Sequence, residues 1–213
     1  QKRFLDYEIP YDMYLGCTDE EIEYHIRRLN NAKPMTHSQK GLTHLGATLA
    51  TKALDIERSN FMKERYSRTD KKKGNVISLV MNSVMLINFE DQWRPSPEAI
   101  GDYLNQNATE EMFDTLLDYV NRIDKAVDTD AWLRFTMKDS FIFFKVFDDF
   151  TKLGKPDEEF GAFMDAFDQE LYTKEYDGDT WETLSKLRNT KDLVTIRKKV
   201  AYLNALLREY LEK

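Results

Sequence analysis

Apolar residues along this chain fall at two spacings, and the change between them comes early. In "FLDYEIPYDMYL", residues 4–15, apolar and polar positions alternate around Tyr7, Ile9 and Tyr11. That is the period of a short strand, which Pro10 confines to an edge or breaks. From Thr18 onward the steps are three and four residues. Thr18 and Glu21 have the spacing of a capping box, each side chain able to satisfy a free amide of the other, and Ile22, Ile26 and Leu29 follow on one helical face. Pro34 bars that helix from running on. The next pattern predicts a helix over about 37–65, with Leu42, Leu45, Leu49 and Leu54 inward.

Further on, residues 75–89 form an apolar helix, and "RPSPEAIGDYL" starts another with Ser96 as N-cap and Pro97 in its first position. Thr109 caps an amphipathic helix whose inner face carries Phe113, Leu116, Leu117, Val120 and Ile123. "DSFIFFKVFDDF" is too aromatic for a solvent helix and belongs in the core. Gly154 and Pro156 end it, and a helix over about 157–172 follows. The last helix, near 191–212, places Leu193, Ile196, Val200, Leu203, Leu207 and Tyr210 on a narrow seam. That seam is too short for a convincing zipper and is expected to pack on the chain's own core. The fold expected is mainly α, a multi-helix bundle with a short N-terminal β-strand remnant, divided into residues 1–95 and a helical domain over 96–213 packed against it.

A chain of 213 residues with 41% hydrophobic and 13% aromatic residues can bury a substantial core. It begins at Gln1 with neither an initiator Met nor a signal-peptide pattern, and so reads as a piece of a longer protein. No apolar run approaches the length of a membrane span, so a cytoplasmic location without membrane contact is expected. The single Cys17 rules out an internal disulfide and a cysteine metal cluster. Phosphate-loop and dinucleotide-turn motifs are missing. His37 and His44, seven residues apart, lack a placed carboxylate in the sequence, and exposed or hydrogen-bonded histidines are expected, with no metal and no cofactor. The pairs Asp148-Asp149 and Asp177/Asp179 lack calcium-loop spacing and read as solvated helix ends.

Charge changes the picture in two places. Residues 58–73, "RSNFMKERYSRTDKKK", carry seven Lys/Arg against Glu64 and Asp70, interleaved with Phe61 and Tyr66. Two readings stand: a phosphate-contacting nucleic-acid surface using Arg65, Arg68, Lys71 and Lys72, or a solvated helix end in which the cations favour the helix dipole. Residues 139–179 carry twelve Asp/Glu against four Lys, which suits either a solubilising face or a contact for a basic protein partner. The overall charge of −7 excludes a wholly basic nucleic-acid coat.

Residues 4–40, and above all "IRRLNNAKPMT" over 26–36, resemble the ParB-like domain of GmrSD-type restriction proteins. In that family a strand and a glutamate-bearing helix lead into a segment of the form Phe-x-Arg-Leu-Asn-x-Gly-x-Pro-Leu-Ser. Here Ile26 to Asn30 and Lys33 to Thr36 match it, Ala32 stands where glycine is common, and the likeness spans roughly residues 4–50. The family's upstream Asp-Gly-x-Gln-Arg motif, tied to nucleotide-dependent nuclease action, is absent, as is the His-Asn-His nuclease domain some relatives carry. The resemblance therefore implies that residues 1–95 are the C-terminal part of such a domain. It implies a non-catalytic helical region of a bacterial or phage protein in DNA-directed defence or counter-defence, whose full-length form would be a nucleotide-dependent nuclease. It also implies that Arg28, Asn30 and Lys33 face nucleotide or nucleic acid, an arginine offering a planar fork to phosphate. The competing reading is that Asn30 only closes the helix while Arg28 covers apolar surface. For the chain as a whole the alternative is a helical protein–protein adaptor with the acidic stretch as its contact face.

Overall fold

The structure, a computed structural model, describes residues 15–30, 35–187 and 191–212, and of residues 27–30 the backbone alone. The expected strand falls almost wholly outside the described residues. The chain divides into two compact units, residues 1–34 and 35–213, so the boundary expected near residue 95 falls inside the second.

In the first unit, α1 spans Asp19–Asn30. The capping box forms as the spacing requires: the Thr18 hydroxyl accepts the Glu21 amide at 3.3 Å, and the Glu21 carboxylate accepts the Thr18 amide at 2.9 Å. Ile22 and Ile26 are each 45% exposed, not buried beneath a stripe.

Among its described residues the second unit is mainly helical, and its β-structure is limited to one isolated bridge. Its first helices are α2 (His37–His44), α3 (Ala47–Glu57), α4 (Asn60–Arg65), α5 (Arg68–Lys72) and α6 (Asn75–Asn88). Then come α7 (Pro97–Asn107), α8 (Glu110–Ala126), α9 (Ser140–Thr151), α10 (Asp157–Gln169), α11 (Trp181–Ser185) and α12 (Leu193–Leu211). The single helix expected over 37–65 is thus three. Gly46 sits at φ +79° between the first two, where a Cβ would both strain the backbone and strike the Asn105 amide. Ser59 caps the third by accepting the Met62 amide. Leu45 and Leu49 are buried as expected, and Leu42 and Leu54 pack at the core's margin.

Ser96 caps α7 by accepting the Ala99 amide at 3.2 Å, with Pro97 at the first helical position. Thr109 precedes α8, but its hydroxyl accepts no capping bond. α2 and α7 cross at two glycines. A Cβ on Gly101 would collide with the Gly41 carbonyl, and one on Gly41 would lie 2.9 Å from the Pro97 carbonyl. This close approach brings His37 Nδ1 to 3.0 Å from Glu98 and His44 Nδ1 to 2.7 Å from Asp102, so both histidines are paired with carboxylates.

α9 lies at the centre, enclosed by α6, α8, α10 and α12. Phe141, Phe143, Phe144, Phe147 and Phe150 are all buried. Their rings continue outward through Phe135, 5.0 Å from Phe143, and Phe160, 4.9 Å from Phe147. α12 buries Ile196, Lys199, Tyr202, Leu203, Leu206 and Leu207. That face is wider than a coiled-coil seam and is used up against the chain's own core.

Lys199 is fully buried, and its ammonium donates to Asp139 at 2.6 Å beneath the Trp181 ring. Burial pulls its pKa below the ordinary lysine value, and the Asp139 carboxylate opposes that pull. Removing one partner strands a charge. Lys199→Met is expected to destabilise by about 3 kcal/mol or more, and adding Asp139→Leu should recover much of the loss, measured by urea denaturation of the single and double variants.

Arg122 grips Asp157 with two bonds, 2.8 and 2.7 Å, tying α8 to α10. Those bonds hold the Asp157 carboxyl below its usual pKa. A depressed folded pKa adds stability that is complete above the unfolded value, about 4 for an aspartate, and is lost as pH falls through the folded one. Asp157→Asn should therefore lower the melting temperature at neutral pH and flatten its decline below about pH 4.

Candidate nucleic-acid interface

The basic stretch folds as two short helices because serines restart it twice. After Ser59 opens α4, Ser67 opens α5 by accepting the Asp70 amide at 3.1 Å. The aromatics interleaved with its cations turn inward. Phe61 is fully buried, edge-on to Trp132 at 5.2 Å and Phe135 at 5.3 Å. Tyr66 is 5% exposed, and its hydroxyl donates to Ser140 at 2.6 Å. Burial pushes the Tyr66 phenol well above its usual pKa. Neither ring is open to a base, so the aromatic part of the expected nucleic-acid surface is corrected: these rings are core.

The cations divide by role. Arg65 donates from Nη2 to the Leu133 carbonyl at 3.1 Å and covers Tyr66, while its buried Nε has no partner among the described residues. Lys71 donates to the Lys63 carbonyl at 3.2 Å. Beneath it, burial raises the pKa of the Glu57 carboxyl, with Lys71 and Arg58 opposing that rise. Lys63, Arg68, Lys72 and Lys73 are exposed and, among the described residues, face no carboxylate within ion-pair distance. Asp70, beside these cations in sequence, is turned toward Ser67 and Asn75, whose hydrogen bonds hold its carboxyl below the usual pKa. Of the four candidates here, Arg68 and Lys72 stand free and Arg65 and Lys71 are half engaged in structure. The side chains of Arg28 and Asn30, and Lys33 entirely, lie outside the described residues.

The acidic stretch behaves differently from its reading as one continuous face. Asp139 is spent on Lys199, Asp148 and Asp149 on Lys145 and Lys152, Asp157 on Arg122, Glu159 on Lys155, and Asp168 on Arg134. Half of its twelve acids are thus neutralised within the fold. Asp148, only 6% exposed, and Asp149 are paired structural groups and not solvated helix ends. Asp177 and Gly178, at φ +51° and +78°, form the centre of a tight turn closed by the Tyr176–Asp179 bridge. Negative charge gathers where Asp165 meets Asp128, Asp168 and Asp130, and burial with those like charges raises the Asp165 pKa.

Among the described residues, no group of three or more His, Cys, Asp and Glu is placed to hold a metal ion, and no helix is long and apolar enough to cross a membrane. No protein-family model, curated protein or solved structure matches this chain. The GmrSD-like reading therefore rests on residues 4–50 alone.

Tyr66→Phe separates core from contact at this site. It removes one buried hydrogen bond, so a loss of about 1 kcal/mol in unfolding free energy is expected, with nucleic-acid affinity unchanged in a titration of labelled DNA.

Proposed function

We propose that the chain is a non-catalytic helical module that grips nucleic acid by its phosphates, serving a GmrSD-related protein in DNA-directed defence or counter-defence. One observation supports the binding role above others. Lys63, Arg68, Lys72 and Lys73 form a patch of exposed cations without ion-pair partners among the described residues, whereas half the acids of 139–179 are consumed by ion pairs. A net charge of −7 thus coexists with a locally cationic edge that remains available for a polyanion. With Phe61 and Tyr66 buried, this edge offers point charges and no base-stacking platform. Such contacts position a backbone and carry little sequence information. The defence role follows from the resemblance of residues 4–50, and it puts Arg28, Asn30 and Lys33 among further candidate contacts.

The test is fluorescence anisotropy of a labelled DNA duplex across a salt series. The wild type should bind with log K falling linearly against log salt. Arg68→Ala with Lys72→Ala should weaken binding and reduce that slope by about 0.9 for each phosphate no longer neutralised. Because exposed charges contribute little to folding, the melting temperature should stay near that of the wild type. Equal affinity and slope in wild type and variant would overturn the reading.

A further inference from the structure

Beyond the basic edge, α2, α6 and the start of α9 border a cavity of about 310 Å³, which Lys191 also lines. Its size is at the lower end of small-ligand sites, which run from roughly 300 to 1,000 Å³. Two lysines border it, Lys138 and Lys191, and no carboxylate among the described residues does so. Lys191 has no ion-pair partner among those residues. Lys138 donates once, to the Ser185 carbonyl, and so retains further protons to give.

α6 supplies the rest of the polar wall. Asn75, Ser78 and Asn82 follow at steps of three and four, which puts them on one face of an otherwise apolar helix. Asn75 is already occupied, donating to Asp70 at 3.1 Å and accepting from Ser38 at 3.4 Å. Ser78 and Asn82 are not. Ser78 is only 7% exposed, lines the cavity, and its hydroxyl has no partner among the described residues. The Asn82 amide likewise has none. The Ser78 hydroxyl and the Asn82 amide thus keep free hydrogen-bonding capacity at the wall of the cavity. Leu79, Met137 and Phe141 form an apolar wall beside them.

We propose that this cavity binds a small phosphate monoester. Lys138 and Lys191 supply the charge, Ser78 and Asn82 supply neutral donors, and the organic substituent rests on Leu79, Met137 and Phe141. Two cations and no lining acid favour a dianion over a singly charged carboxylate, which can make fewer charge-assisted contacts with them. No residue of 58–73 lines the site, although Asn75 at its margin bonds Asp70, and binding here does not depend on nucleic acid at the basic edge.

Titration calorimetry of the protein with phenyl phosphate, benzoate and phenol tests this. Phenyl phosphate should bind saturably at one site, benzoate more weakly, and phenol not at all. Lys191→Ala, at an exposed position, should weaken phenyl phosphate binding about tenfold by removing a charged donor. Asn82→Asp should abolish it by placing an anion against the phosphate, while circular dichroism and melting remain those of the folded protein. Arg68→Ala with Lys72→Ala should leave it unchanged, which separates this site from the basic edge. The proposal falls if phenyl phosphate shows no saturable binding at millimolar concentration, or if benzoate matches it. It falls equally if Lys191→Ala binds as the wild type does, or if the Arg68/Lys72 variant loses binding.

Discussion

Everything in the larger unit answers to the enclosure of α9. A helix covered on all sides cannot leave a polar group to water, so each one it carries must find a partner in the protein. Its aromatics solve the apolar part by ring-on-ring contact. Its charges are solved by neighbours: Asp148 and Asp149 by Lys145 and Lys152, with Tyr119 and Asn204 completing their bonds. Asp139, just before the helix, reaches Lys199. Ion pairs of this kind contribute little net stability, but losing half of one is severe. The same enclosure therefore takes Asp139, Asp148 and Asp149 out of any acidic contact face, together with the lysines that pair with them.

How much of this is legible in the sequence depends on whether a feature is local. The Thr18–Glu21 box, the Ser96-Pro97 start and the amphipathic α8 are set by residues within a turn of one another, and each forms where its spacing requires. The aromatic run of α9 is recognisable as core because no solvent helix tolerates it. The break at Gly46 is hidden because leucines keep helical spacing across it, and one glycine inside a helix costs only about 1 kcal/mol. The Asp177-Gly178 turn carries a readable signal in its dipeptide, which the pairing of acids there obscures.

The charged candidates show the limit of composition. Twelve acids in one stretch look like a surface, yet their partners Arg122, Arg134 and Lys199 lie elsewhere in the chain, beyond any local pattern. Phe61 and Tyr66 among cations look like a stacking platform until the fold turns them inward. Ser78 and Asn82 are inconspicuous inside an apolar helix, and polar residues recurring at helical spacing are the one sign of them in the sequence. Conversely, His37 and His44 lack any nearby carboxylate in sequence, and the glycine crossing of α2 and α7 supplies one to each.

The Lys199–Asp139 bond also sets an order of events during synthesis. Its partners are 60 residues apart, and α9 is not enclosed until α12 has been made. A growing chain that has reached α11 already holds the central aromatic helix and its buried carboxylate, with one flank open and no counter-charge. Completion of this core is thus deferred until residue 199 and its neighbours have emerged. An aromatic flank left open in this way is the kind of surface through which incomplete chains associate.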